Sequence, residues 1–266
     1  MTQAADAGDG VPDDVDAAAF GDGAVAVVIP AYDEADRIAD TVAAASGLPA
    51  VDLVVVVDDG SRDGTGGVAR TAGAAVLRHA RNRGKAAAME TGAAAVRLVD
   101  QRDWTAGPGH ERGPGRERGP GGSRHLLFLD ADLGATAAGA GPLITPVLAG
   151  EADMTVAAFT TRVKLGGHGF VVRLSAAGSR RAAGWSPAQP LNGQRCLTRA
   201  AFEAARPLAR GFGVETALTI DLVRKGYRVR EVEVDLAHRA TGSDLRGQVH
   251  RARQFADVAL ALATRL

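Results

Sequence analysis

Cysteine is nearly absent: Cys196 stands alone among 266 residues. A disulfide framework is therefore excluded, and the chain suits a reducing compartment. A lone cysteine is more often a buried small hydrophobe than a nucleophile. Net charge is absent as well, with 31 basic residues against 31 acidic ones. No global field points to nucleic acid or to an anionic membrane as a partner. No apolar run reaches the roughly 18–20 residues that cross a bilayer. The start of the chain lacks the basic-then-apolar pattern of a secretory signal. These absences point to the cytoplasm. What remains is ordinary globular material, 46% hydrophobic and 23% charged, enough for one large domain or two small ones.

Residues 1–22 are small and acidic, from Asp6 to Asp22 with no basic residue. They have little to bury and are expected to be disordered. Residues 23–266 read as one domain. The run 24–30, Ala-Val-Ala-Val-Val-Ile-Pro, predicts a strand buried on both faces, ended by Pro30. Tyr32-Asp-Glu-Ala-Asp-Arg37 follows, then a helix is expected through about 46; Asp33 or Glu34 near its start suits the positive end of the dipole. A second strand, 51–57, runs into Asp58-Asp-Gly-Ser-Arg-Asp-Gly-Thr65. Acids and glycines between a strand and a helix mark a ligand-binding edge in α/β sheets. A helix over 65–72 and a short strand over 74–78 follow. The basic loop Arg81-Asn-Arg-Gly-Lys85 then opens a helix over 85–98; cations and free N–H groups at a helix start suit phosphate. This alternation predicts a parallel sheet.

Residues 101–123 break the rhythm with repeated Gly-Pro-Gly and interspersed arginine, and read as a flexible insertion. Beyond it, helices are expected over 142–149, 170–183, 200–205 and 216–225, and strands over 153–159, up to 198, and 228–234. Glu215 is expected just before the helix over 216–225. A C-terminal helix spans 245–266. Its basic positions and apolar stretch from Val258 to Leu262 admit packing, a homodimer contact or peripheral membrane contact.

The most telling stretch is 125–133, His-Leu-Leu-Phe-Leu-Asp-Ala-Asp-Leu, an apolar strand ending in Asp130 and Asp132. On an extended chain, residues two apart share a face. Two close carboxylates repel unless a cation neutralises them, and Mg²⁺ or Mn²⁺ prefers such oxygen ligands. The plainer alternative is an acidic turn after a buried strand.

In order and spacing, Val27-Val-Ile-Pro-Ala-Tyr-Asp-Glu34, Val57 to Thr65, Asn82-Arg-Gly-Lys85 and Leu129-Asp-Ala-Asp132 resemble the family 2 glycosyltransferases. The likeness continues through Gly193-Gln-Arg, Gly213-Val-Glu215 and Gly226-Tyr-Arg-Val. It implies a GT-A fold, α/β and Rossmann-like, with a mostly parallel central sheet flanked by helices. The implied ligands are a nucleotide-diphospho-sugar donor and Mg²⁺ or Mn²⁺. Carried over position by position, Pro30, Ala31, Tyr32 and Glu34 would line the nucleoside pocket. Asp59 would meet the base, and Lys85 the donor phosphate or the acceptor. Asp130 would face the ribose and metal, and Asp132 would bind the metal.

Two branches of the family compete. Gln189 to Arg195, Gly211 to Asp221 and Leu236-Ala-His-Arg239 resemble glucosyl-3-phosphoglycerate synthase, which implies a retaining transfer and His238 as a third metal ligand. The alternative is an inverting polyprenyl-phosphate mannosyl- or glucosyltransferase. The chain departs from the synthase pattern at Gly166-Gly-His-Gly-Phe170 and at Ala240. Arg162, Lys164, Arg173, Arg180 and Arg181 still suit an anionic acceptor. An inverting enzyme needs a base near the acceptor hydroxyl, for which Glu215 and Asp221 are the candidates. Two remoter readings are a nucleotidyltransferase and a non-catalytic nucleotide-sugar binding module.

Overall fold

The computed structural model describes residues 25–105, 123–159, 169–185, 188–189, 191–236 and 256–265. Residues 1–22, most of the 101–123 insertion, Arg162, Lys164, the 166–168 stretch, His238 to Ala240 and the first part of the C-terminal helix lie outside the described residues.

Seven strands form one sheet in the order β3-β2-β1-β4-β6-β5-β7. They are β1 (Val25–Ala31), β2 (Val51–Asp58), β3 (Ala75–Arg78), β4 (His125–Phe128), β5 (Met154–Phe159), β6 (Arg195–Leu197) and β7 (Val229–Val234). Every pairing is parallel except those of β6, which runs against both β4 and β5. The expected mostly parallel α/β sheet is thus present.

Strand periodicity divides the core in two. Val25, Val27 and Ile29 of β1 face one layer together with Val56 and Leu127. Ala26 and Val28 face the other together with Val55, Val57, Leu126 and Phe128. The first layer is covered by α1 (Ile38–Ser46), α2 (Thr65–Thr71) and α4 (Gly141–Leu148). The second is covered by α3 (Lys85–Thr105), α6 (Arg199–Ala205) and α7 (Val214–Arg224). Burying a strand on both faces explains why β1, β2 and β4 are apolar without alternation. Each fully buried Val, Leu or Ile side chain contributes about 1.5–3 kcal/mol. Edge strand β7 instead carries Arg230, Glu231 and Glu233, charges that discourage edge-to-edge pairing.

Several boundaries differ from the sequence expectation. Pro30 does not end β1, which continues to Ala31 opposite Asp58. The carbonyl of Val28 points to the β4 side, where it accepts from Leu129 N–H at 3.2 Å. Pro30, two residues on, faces that same side, beyond the last β1–β4 pair at Phe128. Its missing donor therefore costs no ladder bond. Helix α1 does begin after Arg37, at Ile38, and residues 33–35 are bound to the next loop. Helix α3 runs on to Thr105, into the segment read as an insertion. Of the C-terminal helix, 256–263 is described as helical. Its Val258 and Leu262 pack on Ile220 of α7, so part of the apolar stretch is internal packing. Among the described residues no helix is long and apolar enough to cross a membrane.

The chain builds β1, β2 and β3 outward in one direction, then returns through α3 to place β4 on the other side of β1. Such a reversal of strand order opens a crevice at the carboxyl ends of the strands. Close packing of α3 makes the return possible: a Cβ at Gly92 would strike Val28 and lie 3.2 Å from Val57 Cγ2. Gly92→Ala is expected to cost about 1–3 kcal/mol by overpacking, read as a lower urea midpoint with unchanged m-value.

Candidate active site

Four loops meet at the crevice. The loop after β1 is tied to the loop after β2 by side-chain acceptors. Asp33 N–H donates to Ser61 Oγ at 3.0 Å, Glu34 N–H to Thr65 Oγ1 at 2.9 Å, and Ala35 N–H to Asp63 Oδ2 at 3.0 Å. In return Arg62 N–H donates to Asp33 Oδ1 at 2.7 Å. Asp33 holds a positive φ of 54°, a conformation that aspartate tolerates better than most residues. These bonds hold residues 33–35 outside α1, which starts at Ile38. Tyr32 is exposed at this edge, and Ala31 is buried beneath it.

The two aspartates at the end of β2 have different duties. Asp58, fully buried, accepts from Ser61 N–H at 2.8 Å and closes the turn. Asp59 accepts at Oδ1 from Arg83 N–H at 2.9 Å and at Oδ2 from Gly84 N–H at 2.7 Å. The His79 ring reaches the same carboxylate at 2.6 Å. The residue assigned to the base is therefore engaged with the protein's own 81–84 loop.

Asp130 and Asp132 lie past the last residue of β4, with Asp132 in a turn. The extended geometry expected of them does not hold. The turn is set by α1: Thr41 Oγ1 donates to Ala131 O at 2.9 Å and accepts from Gly134 N–H at 2.8 Å. Arg37 Nη1 donates to Asp132 O at 3.1 Å. Ala131 packs into the core.

Lys85, the first residue of α3, is the hub. Its Nζ lies 2.7 Å from Asp130 Oδ1 and 2.9 Å from Glu215 Oε1. Burial opposes its charge, but the Asp130 and Glu215 carboxylates outweigh that and hold the ammonium above the ordinary lysine value. Gln194 Nε2 donates to Asp130 Oδ2 at 2.7 Å, so both Asp130 oxygens have partners. The close packing requires Gly193: a Cβ there would strike Lys85 Nζ and come within 3.0 Å of the Asp130 carboxylate. Beneath the cluster, Arg195 is buried and donates from Nη1 to Glu215 O at 3.3 Å and from Nη2 to Asn192 O. Burial pulls its guanidinium below the ordinary arginine value, against the pull of Glu215 and Asp130. Among the described residues, the buried Gln194 Oε1 and Arg195 Nε meet no hydrogen-bond partner.

The structure thus brings Lys85, Asp130 and Glu215 together and keeps Asp132 in the adjoining turn. Glu215 stands inside the first turn of α7, not before it. Asp221 does not join them. It sits six residues further along α7, on another face, bound by Arg265 at 2.8 and 2.6 Å, and the C-terminal helix claims it as a structural ion pair. Gln194, Thr41 and Arg37 were not assigned roles from sequence. The signal available for Gln194 was a Gln-Arg pair heading an otherwise apolar short strand.

For a divalent cation, the donors the sequence offers are hard carboxylate oxygens, which suit Mg²⁺ or Mn²⁺. Asp130 is committed to Lys85 and Gln194, and Asp132 lies in the adjoining turn. Among the described residues no cluster of three His, Cys, Asp or Glu side chains is formed, and His238 lies outside them.

Comparison with known proteins adds the following. Residues 26–98 match the family model described as Glycosyl transferase family 2. Glycosyltransferase AglJ of Haloferax volcanii is 27% identical over 230 residues, which is 83% of this chain and 65% of that protein. The chain therefore spans about two-thirds of the length of this curated relative. Among solved structures, glucosyl-3-phosphoglycerate synthase from Mycobacterium tuberculosis with phosphoglyceric acid superposes with a TM-score of 0.66 at 25% identity, covering 91% of this chain and 80% of that one. The same enzyme with Mn²⁺, UDP-glucose and phosphoglyceric acid gives 0.63 at 25%, covering 93% and 82%.

The Lys85 hub makes a pH-resolved prediction. Lys85→Met leaves Asp130 and Glu215 facing each other without their cation. The expected loss is about 1–3 kcal/mol, below the 3–5 typical of fully buried pairs because the lysine is partly exposed. A raised lysine value adds stability that is complete below the ordinary lysine range and is lost as pH climbs through the folded value. Urea melts should therefore show a constant difference between wild type and variant from pH 6 to 9. That difference should narrow only above the ordinary lysine value of about 10.4.

Proposed function

We propose that the chain, whose residues 26–98 match the glycosyl transferase family 2 model, is a glycosyltransferase that moves a hexose from a UDP- or GDP-sugar to an anionic, phosphorylated acceptor. The observation that carries this reading is the Lys85–Asp130–Glu215 cluster. It stands at the strand-order reversal, where the loops after β1, β2, β3 and β4 converge.

In this reading Pro30, Ala31, Tyr32 and Glu34 form the nucleoside side of the crevice. The start of α3 offers N–H groups and the Lys85 ammonium to the donor diphosphate, the arrangement that helix N-termini provide for anions. Lys85 acts as a cation and not as a base, because its carboxylate partners keep it protonated. Asp132, with Asp130 beside it and His238 as the third ligand implied by family likeness, would hold Mg²⁺ or Mn²⁺. When bound, the metal neutralises charge on the departing diphosphate. Glu215 faces the acceptor hydroxyl. It serves as base if configuration inverts, and as the group that orients the hydroxyl if configuration is retained. The acceptor class rests on the Mycobacterium tuberculosis synthase bound to phosphoglyceric acid and on the exposed Arg173, Arg180 and Arg181 of helix α5 (Gly169–Ala183).

The test is release of nucleoside diphosphate from UDP- and GDP-sugars with Mg²⁺ or Mn²⁺. Acceptors are 3-phosphoglycerate and a short-chain polyprenyl phosphate, with the product anomer read by NMR. Asp132→Ala is expected to abolish metal-dependent release, and release at the wild-type rate would refute the metal assignment. Glu215→Gln should lower turnover by about 10²–10⁴-fold while leaving UDP or GDP affinity nearly unchanged.

A further inference from the structure

A buried polar chain runs beneath the 81–85 loop, outside the cluster that holds Lys85. Its members are Thr91 of α3, His79 just after β3, and Asp59 at the end of β2. His79 Nε2 lies 2.9 Å from Thr91 Oγ1, and its Nδ1 lies 2.6 Å from Asp59 Oδ1. Only 7% of His79 and 4% of Asp59 is exposed. A carboxylate only accepts, so Nδ1 carries the hydrogen, and in the neutral ring Nε2 accepts from the Thr91 hydroxyl. The His79 N–H also donates to Asp58 O at 2.9 Å, which fixes the ring's backbone to the same turn.

What Asp59 does with its remaining capacity matters most. Its two oxygens take the N–H groups of Arg83 and Gly84. Gly84 itself has a φ of 89°. The loop passes so close to the turn below that a Cβ at Gly60 would lie 2.8 Å from the backbone of Arg81 and Asn82. The loop is therefore seated on Asp59 through its backbone, and Lys85 follows Gly84 directly.

We propose that His79 is a positioning residue for donor binding: backed by Thr91, its ring sets the Asp59 carboxylate that seats the 81–84 backbone, and thereby aims Lys85 and the first N–H groups of α3. The proposal rests on the reading of this loop as the donor-diphosphate loop. Any buried histidine needs its ring nitrogens satisfied; what marks this one is that its partner carboxylate, Asp59, also carries the backbone N–H groups of Arg83 and Gly84.

The variants separate the two ring nitrogens. His79→Asn keeps a donor near Nδ1 and so faces Asp59, His79→Gln keeps a polar group near Nε2 and so faces Thr91, and His79→Leu keeps neither. Two readouts are needed: hydrogen exchange of the Arg83 and Gly84 amides by mass spectrometry, and KM against kcat for UDP- and GDP-sugars. His79→Leu and His79→Gln are expected to speed loop exchange by about tenfold or more. They should raise donor KM by about tenfold with kcat changed by less than about threefold, as expected when binding shared by ground and transition state is lost. His79→Asn should return both readouts to near wild type. Combining His79→Leu with Asp59→Asn should be no worse than Asp59→Asn alone. Unchanged loop exchange in His79→Gln, or equal damage from Asn and Gln, would overturn the proposal. If His79→Leu does not fold, the Asn and Gln variants decide. If the wild-type protein turns over no UDP- or GDP-sugar, the functional reading fails, while loop exchange still decides the role of His79.

Discussion

One ammonium holds the crevice together. Lys85 begins a long helix that packs across β1 and β2, yet its charge is satisfied by a carboxylate after β4 and by another at the start of α7. Those partners are 45 and 130 positions away in the chain. A buried pair broken on one side leaves an uncompensated charge, so the three elements are fixed relative to one another by the energy of that contact. The burial of Arg195 beneath Glu215 and the bond from Gln194 to Asp130 brace the same arrangement. The small size of Gly193 lets the hub close. The electrostatics are nearly self-contained, with two cations facing two anions before any ligand arrives.

Much of this was legible in the sequence, for physical reasons. Strands β1, β2 and β4 announce themselves because burial on both faces removes the polar alternation that would confuse them with surface strands. The loops at their carboxyl ends were legible because glycine and aspartate cluster where the backbone must turn and where N–H groups need acceptors. Lys85, Asp130 and Glu215 were each singled out, and they do come together. Their mutual contact was not legible, since nothing local in a sequence says that a helix start will meet residues so distant. The same holds for Asp221, whose polar position on α7 looked available until Arg265 from the last helix proved to hold it.

Two turns at the crevice have a common cause. Residues 33–35 stay outside α1 because Ser61, Asp63 and Thr65 offer acceptors to their N–H groups. Asp130 and Asp132 look like the tip of a strand, but Thr41 clamps the backbone on either side and bends it into a turn. In both places a tertiary hydrogen bond, not local propensity, chose the conformation. Asp59 is a related case. A carboxylate at a ligand-binding edge suggests contact with a ligand, while the structure commits it to organising a neighbouring loop.

The reversed strand β6 divides the crevice into two walls drawn from different parts of the chain. In a parallel sheet each strand reaches the carboxyl edge with its last residue. Because β6 runs the other way, it arrives there with its first, Arg195, opposite Phe128 and Val156. The segment that precedes β6 therefore supplies one wall, with Asn192, Gly193 and Gln194, while the loops that follow β1, β2 and β3 supply the other. Insertions or replacements upstream of Leu191 would reshape the first wall without disturbing the Ser61, Asp63 and Thr65 lacing of the second. A fold wired in this way can exchange what it recognises on one side while the opposite side stays as it is.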